Sequence, residues 1–395
     1  MIVGKSLLSV MLLVCWVSGV AAAQTPTVVA RSEKDSPNGI TNLRLLHPSK
    51  QELLAFYALE PKVFITLSSD GGESWKDLAG KPGASPVTDV GRRGGFDVCI
   101  DDDVVYLAFT TRSSVKVQTF KRTDKTWSAS EAKTLDRGIA MTGPTICKDA
   151  SGDVWVAYYF GGHDAMTGIR VSRTPTGERF GENTGRFNVA YGFGSTVQKL
   201  VVWRGRPVLF YSGGSNHESR QIYWTAFDGK RWPRPAVGVG ECARSPGTFA
   251  VTVDDHDVLH VAWRSSVGRF ARIWYRRCDA SGKWSDVATS LHVGQIRHCS
   301  APRLLTDGVT TWCVWSHPGK GELAYRVLKN GAWIPEPRVV GVEPLGRSLT
   351  TSGRIPPDAN AIPVVFPRLT TAPKAPAKEV LLKSVKVGDE TRRPR

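Results

Sequence analysis

The chain is 395 residues long, with 41% hydrophobic and 22% charged residues, a balance that excludes wholesale disorder, a collagen-like fibre and a multi-span membrane protein. Its 52 Lys and Arg outnumber 36 Asp and Glu for a net charge of +16, and 13 Trp accompany 39 Gly. A basic, Trp- and Gly-rich chain of this kind points to repeated β-hairpins and an anionic partner.

At the N-terminus, Lys5 precedes an apolar stretch from Leu7 to Val20 and the small residues Ala21, Ala22 and Ala23. That order predicts a cleavable signal peptide over 1–23, since the apolar stretch is too short to span a bilayer. The expectation is a secreted or periplasmic protein, a single domain over 24–395 and no stable membrane insertion. Cysteine usage agrees with export: removal of Cys15 leaves a few scattered cysteines without the close spacing of a zinc or redox site.

Beyond the leader the chain repeats. A small or apolar residue followed by an aromatic recurs about every 52 residues, as Ala55-Phe56, Ala108-Phe109, Ala157-Tyr158, Leu209-Phe210, Ala262-Trp263, Val314-Trp315 and Val365-Phe366. Within one copy, Phe249 to Val253, Val258 to Trp263 and Arg272 to Arg277 read as β-runs, followed by a tight turn closed by Trp284. Trp75, Trp127, Phe180, Trp232 and Trp333 close the same turn elsewhere. Four strands per repeat predict an all-β propeller of four-stranded blades, with seven blades favoured and six as the alternative count. The last copy supplies only Ile362 to Phe366 and Glu379 to Val387 as its second and third strands. Thr27 to Arg31 is therefore expected to complete that blade and close the ring, with 388–395 as a basic C-terminal tail.

In the first repeat, Ser68, Asp70, Gly72 and Trp75 fall in the order Ser-x-Asp-x-Gly-x-Ser-Trp. This element resembles the Asp-box of the sialidase, or bacterial-neuraminidase-repeat (BNR), superfamily of propellers. Degenerate versions lie at Asp124, Asp228, Asp279 and Asn330. The box is a structural turn: a short carboxylate satisfies backbone amides, Gly allows a positive φ and Trp fills the gap between sheets. In an up-and-down blade this turn lies opposite the face formed by the blade-to-blade connections and the second-to-third-strand loops, and the connection face is where the ligand site is expected.

The connections carry Arg93, Arg137, Tyr191, Arg244, Arg297 and Arg347, and the second-to-third loops carry His163, His217 and His317. A ring of guanidinium and imidazole groups at a concave mouth would hold a carboxylate- or sulfate-bearing ligand, so an acidic oligo- or polysaccharide is the expected partner and nucleic acid is not. The competing reading is that a basic protein places its arginines in exposed loops without a ligand. His260, on a strand, and His256, in an opposite-face turn, read as structural, as do the strand tryptophans.

Sialidase-like chemistry would require an arginine cluster on a carboxylate, a Tyr nucleophile such as Tyr191, and an acid drawn from Asp164, Glu218, Glu241 or Glu60. The Arg-Ile-Pro motif of bacterial sialidases is absent from the first repeat, and Arg354-Ile355-Pro356 stands in the seventh instead. Gly143 to Ile146, followed by Asp153 to Tyr159 and then Gly162-His163, is similar to a stretch of secreted seven-bladed lyases that cleave uronate polysaccharides. That resemblance implies proton abstraction by Tyr191 or Tyr211, acid/base work by His163 or His217, and carboxylate neutralisation by Arg244. Cys242 and Cys299 lie in consecutive blade connections and form a candidate disulfide. No metal site and no cofactor is expected. The function read from the sequence is recognition of an acidic glycan, with hydrolase and lyase chemistry both open and a noncatalytic glycan- or protein-binding propeller as the alternative.

Overall fold

Seven antiparallel sheets follow one another along the chain in the computed structural model. It describes residues 26–31, 41–59, 61–78, 87, 90, 95–124, 126–138, 140–161, 167–174, 185–191, 197–213, 221–233, 237–241, 249–267, 270–292, 299–317, 320–341, 349–368 and 379–386. Among them every regular element is a strand. The first blade runs outward from Thr41–Leu46 through Leu53–Leu59 and Lys62–Ser68 to Lys76–Asp77. The inner strands of the next five blades are Phe96–Asp101, Thr142–Lys148, Gln198–Trp203, Phe249–Val253 and Arg303–Thr306. Contacts between successive inner strands place them around a central channel.

The last sheet settles the blade count at seven. Ala361–Pro367 pairs with Glu379–Lys386, which pairs in turn with Thr27–Arg31 in the order expected for ring closure. On the channel side this sheet is reduced to one bridge, Thr350 to Val365. The sequence gives it no β-rich run there: Thr351-Ser352-Gly353 precedes Pro356 and Pro357, which cannot donate to a ladder. The second and sixth blades carry split outer edges, with Thr126–Ala129 and Lys133–Arg137 both pairing to Ser114–Thr123, and Ala332–Trp333 and Arg338–Gly341 both pairing to Glu322–Lys329.

Strands apolar on both faces are what a sheet packed between two neighbours requires, and the core is divided accordingly. Each of the seven blade interfaces holds its own cluster, for example Phe56 with Phe96 and Leu107 between the first two blades. Val365 and Leu382 of the last blade pack with Leu53 and Ala55 of the first. The repeated aromatics Phe56, Tyr158, Phe210, Trp315 and Phe366 are all fully buried. Trp155 is buried as well and donates from Nε1 to Asp149 Oδ2 at 2.7 Å, a packing role in line with the sequence.

The turn at Ser68 to Trp75 is held as its residue types require. Asp70 Oδ1 accepts from Ser74 N at 2.9 Å and from Ser68 Oγ at 2.7 Å, and Trp75 Nε1 donates to the Gly72 carbonyl at 3.2 Å. Asp70 Oδ2 also accepts from Ser74 Oγ, and the hydrogen bonds to Asp70, led by that hydroxyl, hold its carboxyl well below the usual carboxylate range. Gly72 has a φ of 98°, and a Cβ there would overlap Leu382 of the closing blade, so the turn and the ring seam share one residue that must be glycine.

Candidate functional site

The inner strands all start at the connection face, so side chains near their N-terminal ends converge on that end of the channel. Four charged residues do so: Arg44, Asp97, Lys199 and Arg303, from the first, second, fourth and sixth blades. Asp97, 2% exposed, is the hub. Its Oδ1 accepts from Arg44 Nε at 2.7 Å, and its Oδ2 accepts from Lys199 Nζ at 2.8 Å and Thr145 Oγ1 at 2.9 Å. Burial by itself would raise the Asp97 carboxyl, but Lys199 and Arg44 outweigh it and hold the group well below the usual range, so it is ionised at neutral pH.

Arg303 has no carboxylate partner among the described residues. Its Nε donates to the Leu349 carbonyl at 2.9 Å and its Nη1 to the Pro302 carbonyl at 3.3 Å, which fix the guanidinium without neutralising it. Burial and the neighbouring Arg44 bring it down to about 10, against a smaller opposing pull from Asp97, so it stays charged. Three cations thus stand at this end with one buried carboxylate among them, paired to two of the three. The surplus positive charge lies where low-dielectric walls concentrate its field, an arrangement suited to drawing in an anion. By contrast, toward the opposite face Lys148 pairs with Asp101 and Arg354 with Asp255. Arg354 is thereby tied to the fifth blade, on the face away from the connections.

These four lie on strands, whereas the charges that stand out in the sequence lie in loops. The available signal was a charge interrupting an apolar inner strand near its start, as in Phe96-Asp97-Val98 and Gln198-Lys199-Leu200.

Of the residues picked out from the sequence, Arg137 ends the outer strand of the second blade, is exposed, and pairs in register with Ser114. Tyr191 ends the outer strand of the third blade opposite Gly168, so the two sit at the same face on neighbouring blades, on their outermost strands. Asp136 anchors this rim. Buried at 3% exposure, it accepts from Tyr158 Oη at 2.6 Å, Arg170 Nη1 at 2.6 Å and Arg186 Nη1 at 2.7 Å. Two arginines are thereby committed to joining blades. Tyr211 lies further in, on the second strand of the fourth blade opposite Gln198, and stacks on Tyr223 at 5.5 Å. His163, His217, Arg93, Arg244, Arg297, Arg347 and Cys242 lie outside the described residues, while Cys299 is a buried free thiol pushed up to about 11 by burial.

His260 is structural, buried with Nδ1 2.7 Å from Tyr275 Oη and Nε2 3.1 Å from Asp254. His317 lies at the connection-face end of its strand, where Nε2 accepts from Trp315 Nε1 at 2.9 Å and Nδ1 is 3.5 Å from Glu322. That pattern puts the ring proton on Nδ1, and burial keeps the imidazole below its ordinary pKa, partly opposed by Glu322.

No protein-family model matches the sequence, and no curated protein matches it significantly. Solved structures do match in fold. An ulvan lyase of polysaccharide lyase family PL25, bound to -[GlcA(1-4)Rha3S]-, superposes over 91% of this chain and 96% of its own with a TM-score of 0.59 at 12% identity. The polysaccharide lyase Uly1 gives 0.55 at 11% identity, over 90% of this chain and 91% of its own. An oligogalacturonate lyase in complex with manganese gives 0.51 at 11% identity, over 92% and 96%. At these identities the likeness establishes the seven-bladed fold, and the neighbours that share it include propellers that act on polysaccharides.

Proposed function

We propose that this chain is an exported propeller that recognises an acidic glycan at the connection-face end of its channel. The observation that carries the reading is the surplus of Arg44, Lys199 and Arg303 over Asp97 at that end. A carboxylate or sulfate ester arriving there would meet Arg303, whose guanidinium is oriented by two carbonyls and lacks a counter-charge among the described residues. The overall charge of +16 would favour capture of a polyanion. Export rests on the leader-like segment 1–23, and kinship with the Asp-box superfamily rests on the Ser68 to Trp75 turn.

Cleavage by a lyase is the second reading, favoured by the fold shared with the PL25 enzyme, whose bound ligand is an acidic glycan. In that case the ionised Asp97, tied to two cations, serves to position Lys199 and Arg44 and is not a proton carrier. Proton transfer would fall to Tyr191, Tyr211, His163 or His217. The deciding experiment incubates the protein with sialosides, uronate polysaccharides and sulfated polysaccharides, following binding, released sugar and the ultraviolet absorbance of an unsaturated uronate together. Binding that weakens in Arg303→Gln supports the site. No binding to any anionic glycan removes the proposal, and binding without product leaves the noncatalytic form of it.

A further inference from the structure

On the face opposite the connections, the seam between the first and last blades opens into a groove of about 620 Å³, within the range of small-ligand sites. Leu53, Pro363 and Leu382 give its lining an apolar part. Gln51, Asn360 and Ser384 add amide and hydroxyl groups to the same lining. The lip is rigid: Gly71 N donates to the Gln51 carbonyl at 2.7 Å, and the Asp70 hydrogen bonds fix the turn that carries it. A groove whose walls are held in place before a ligand arrives loses little entropy on binding.

Charge distinguishes this groove from the channel. Lys50 is loosely matched by Asp358 at 3.8 Å, the lining carries Lys386 and Glu73 as one further cation and one further carboxylate, and the Asp70 carboxylate is taken up by its own turn. Cations and carboxylates are close to balance, so no anion is favoured. A lining that mixes amide and hydroxyl groups with apolar side chains fits a ligand that carries both hydroxyls and C–H faces. We infer that the groove binds a neutral saccharide unit, making a second carbohydrate site behind the ring, independent of the acidic site proposed for the channel.

The test uses methyl glycosides of glucose, galactose, mannose, xylose and rhamnose, with methyl glucuronoside as the charged control, titrated into the full-length protein and followed by amide NMR. At least one is expected to shift Gly71, Gly72 and the side-chain amides of Gln51 and Asn360 together, saturating in the millimolar range. Asn360 is exposed on a loop, so Asn360→Trp fills the groove without entering the core. This variant is expected to keep the melting temperature and the acidic-polysaccharide binding of the parent while weakening the glycoside about tenfold or more. The inference is overturned if none of the five glycosides moves these amides, if Asn360→Trp binds them as tightly as the parent, or if only methyl glucuronoside moves them.

Discussion

Lys199 Nζ of the fourth blade lies 2.8 Å from Asp97 Oδ2 of the second, an ion pair that passes the inner strand of the third. Thr145 of that third blade donates to the same oxygen, so one carboxylate ties three blades on its side of the channel, and Arg44 adds the first. Removing the carboxylate strands two cations that are each about a third exposed. Asp97→Asn is therefore expected to lower stability by about 2 kcal/mol, with solvent screening holding the loss below that of a fully buried pair. Urea unfolding checks this. Adding Lys199→Met should recover part of the loss, since coupled residues are not additive.

Binding of an acidic polysaccharide should weaken as salt is raised, because the channel cations act through a screened field. Lys199→Ala and Arg303→Gln are each expected to weaken binding and flatten its dependence on salt. Isothermal titration at two or three ionic strengths gives both quantities, and an unchanged salt slope in both variants would place the binding surface elsewhere.

Acid should destabilise the fold in two stages. His47 is brought down to about 4, chiefly by burial, and His317 is also lowered by burial. A histidine whose folded pKa is depressed contributes stability that is complete above its ordinary value of about 6.5 and is lost as pH falls through the folded value. The first stage thus spans pH 6.5 to about 4. In His317 it includes loss of the hydrogen bond from Trp315, because the incoming proton occupies Nε2. The second stage, below pH 4, follows protonation of Asp97. Unfolding free energies measured from pH 7 to 4 should fall less steeply in His317→Gln than in the parent.

Gly72→Ala should cost about 1–3 kcal/mol, combining a positive φ with overlap against Leu382. Thermal melting checks the loss. Because the turn lies on the far face, affinity for an acidic glycan should be unchanged in the folded variant.

Cys99, Cys147, Cys278, Cys299 and Cys313 should react slowly with thiol reagents in the native state, since burial raises each of them. Denaturation under nonreducing conditions should release all five. A count that lacks Cys299 would instead indicate a bridge to Cys242.

The repeat was legible because a propeller imposes the same demand seven times: each sheet is buried on both faces, so an aromatic such as Tyr158 or Trp315 recurs at one place in every blade. Closure by Thr27–Arg31 was legible for a related reason, since the last repeat was short of a strand and the first had one to spare. The channel charges were hidden by the same regularity. Arg44 and Lys199 sit inside strands that read as core, and nothing local reveals that residues more than one blade apart meet around Asp97. The thin inner edge of the seventh blade was concealed in the opposite way, because the bridge at Thr350 depends on pairing with Val365 and not on its own propensity.

The pairing of Thr27 with Leu382 also has a consequence in time. Strands of the middle blades can pair soon after they are made, but the first strand of the chain must wait for the last before it has a partner. Until residues 379–386 are available, Leu53 and Ala55 lack the Leu382 surface they pack against. Such long-range closure makes folding slow and leaves an open edge in any chain that stops early. A shortened chain ending before Glu379 would accordingly be a substrate for proteases and aggregation, even with six complete blades.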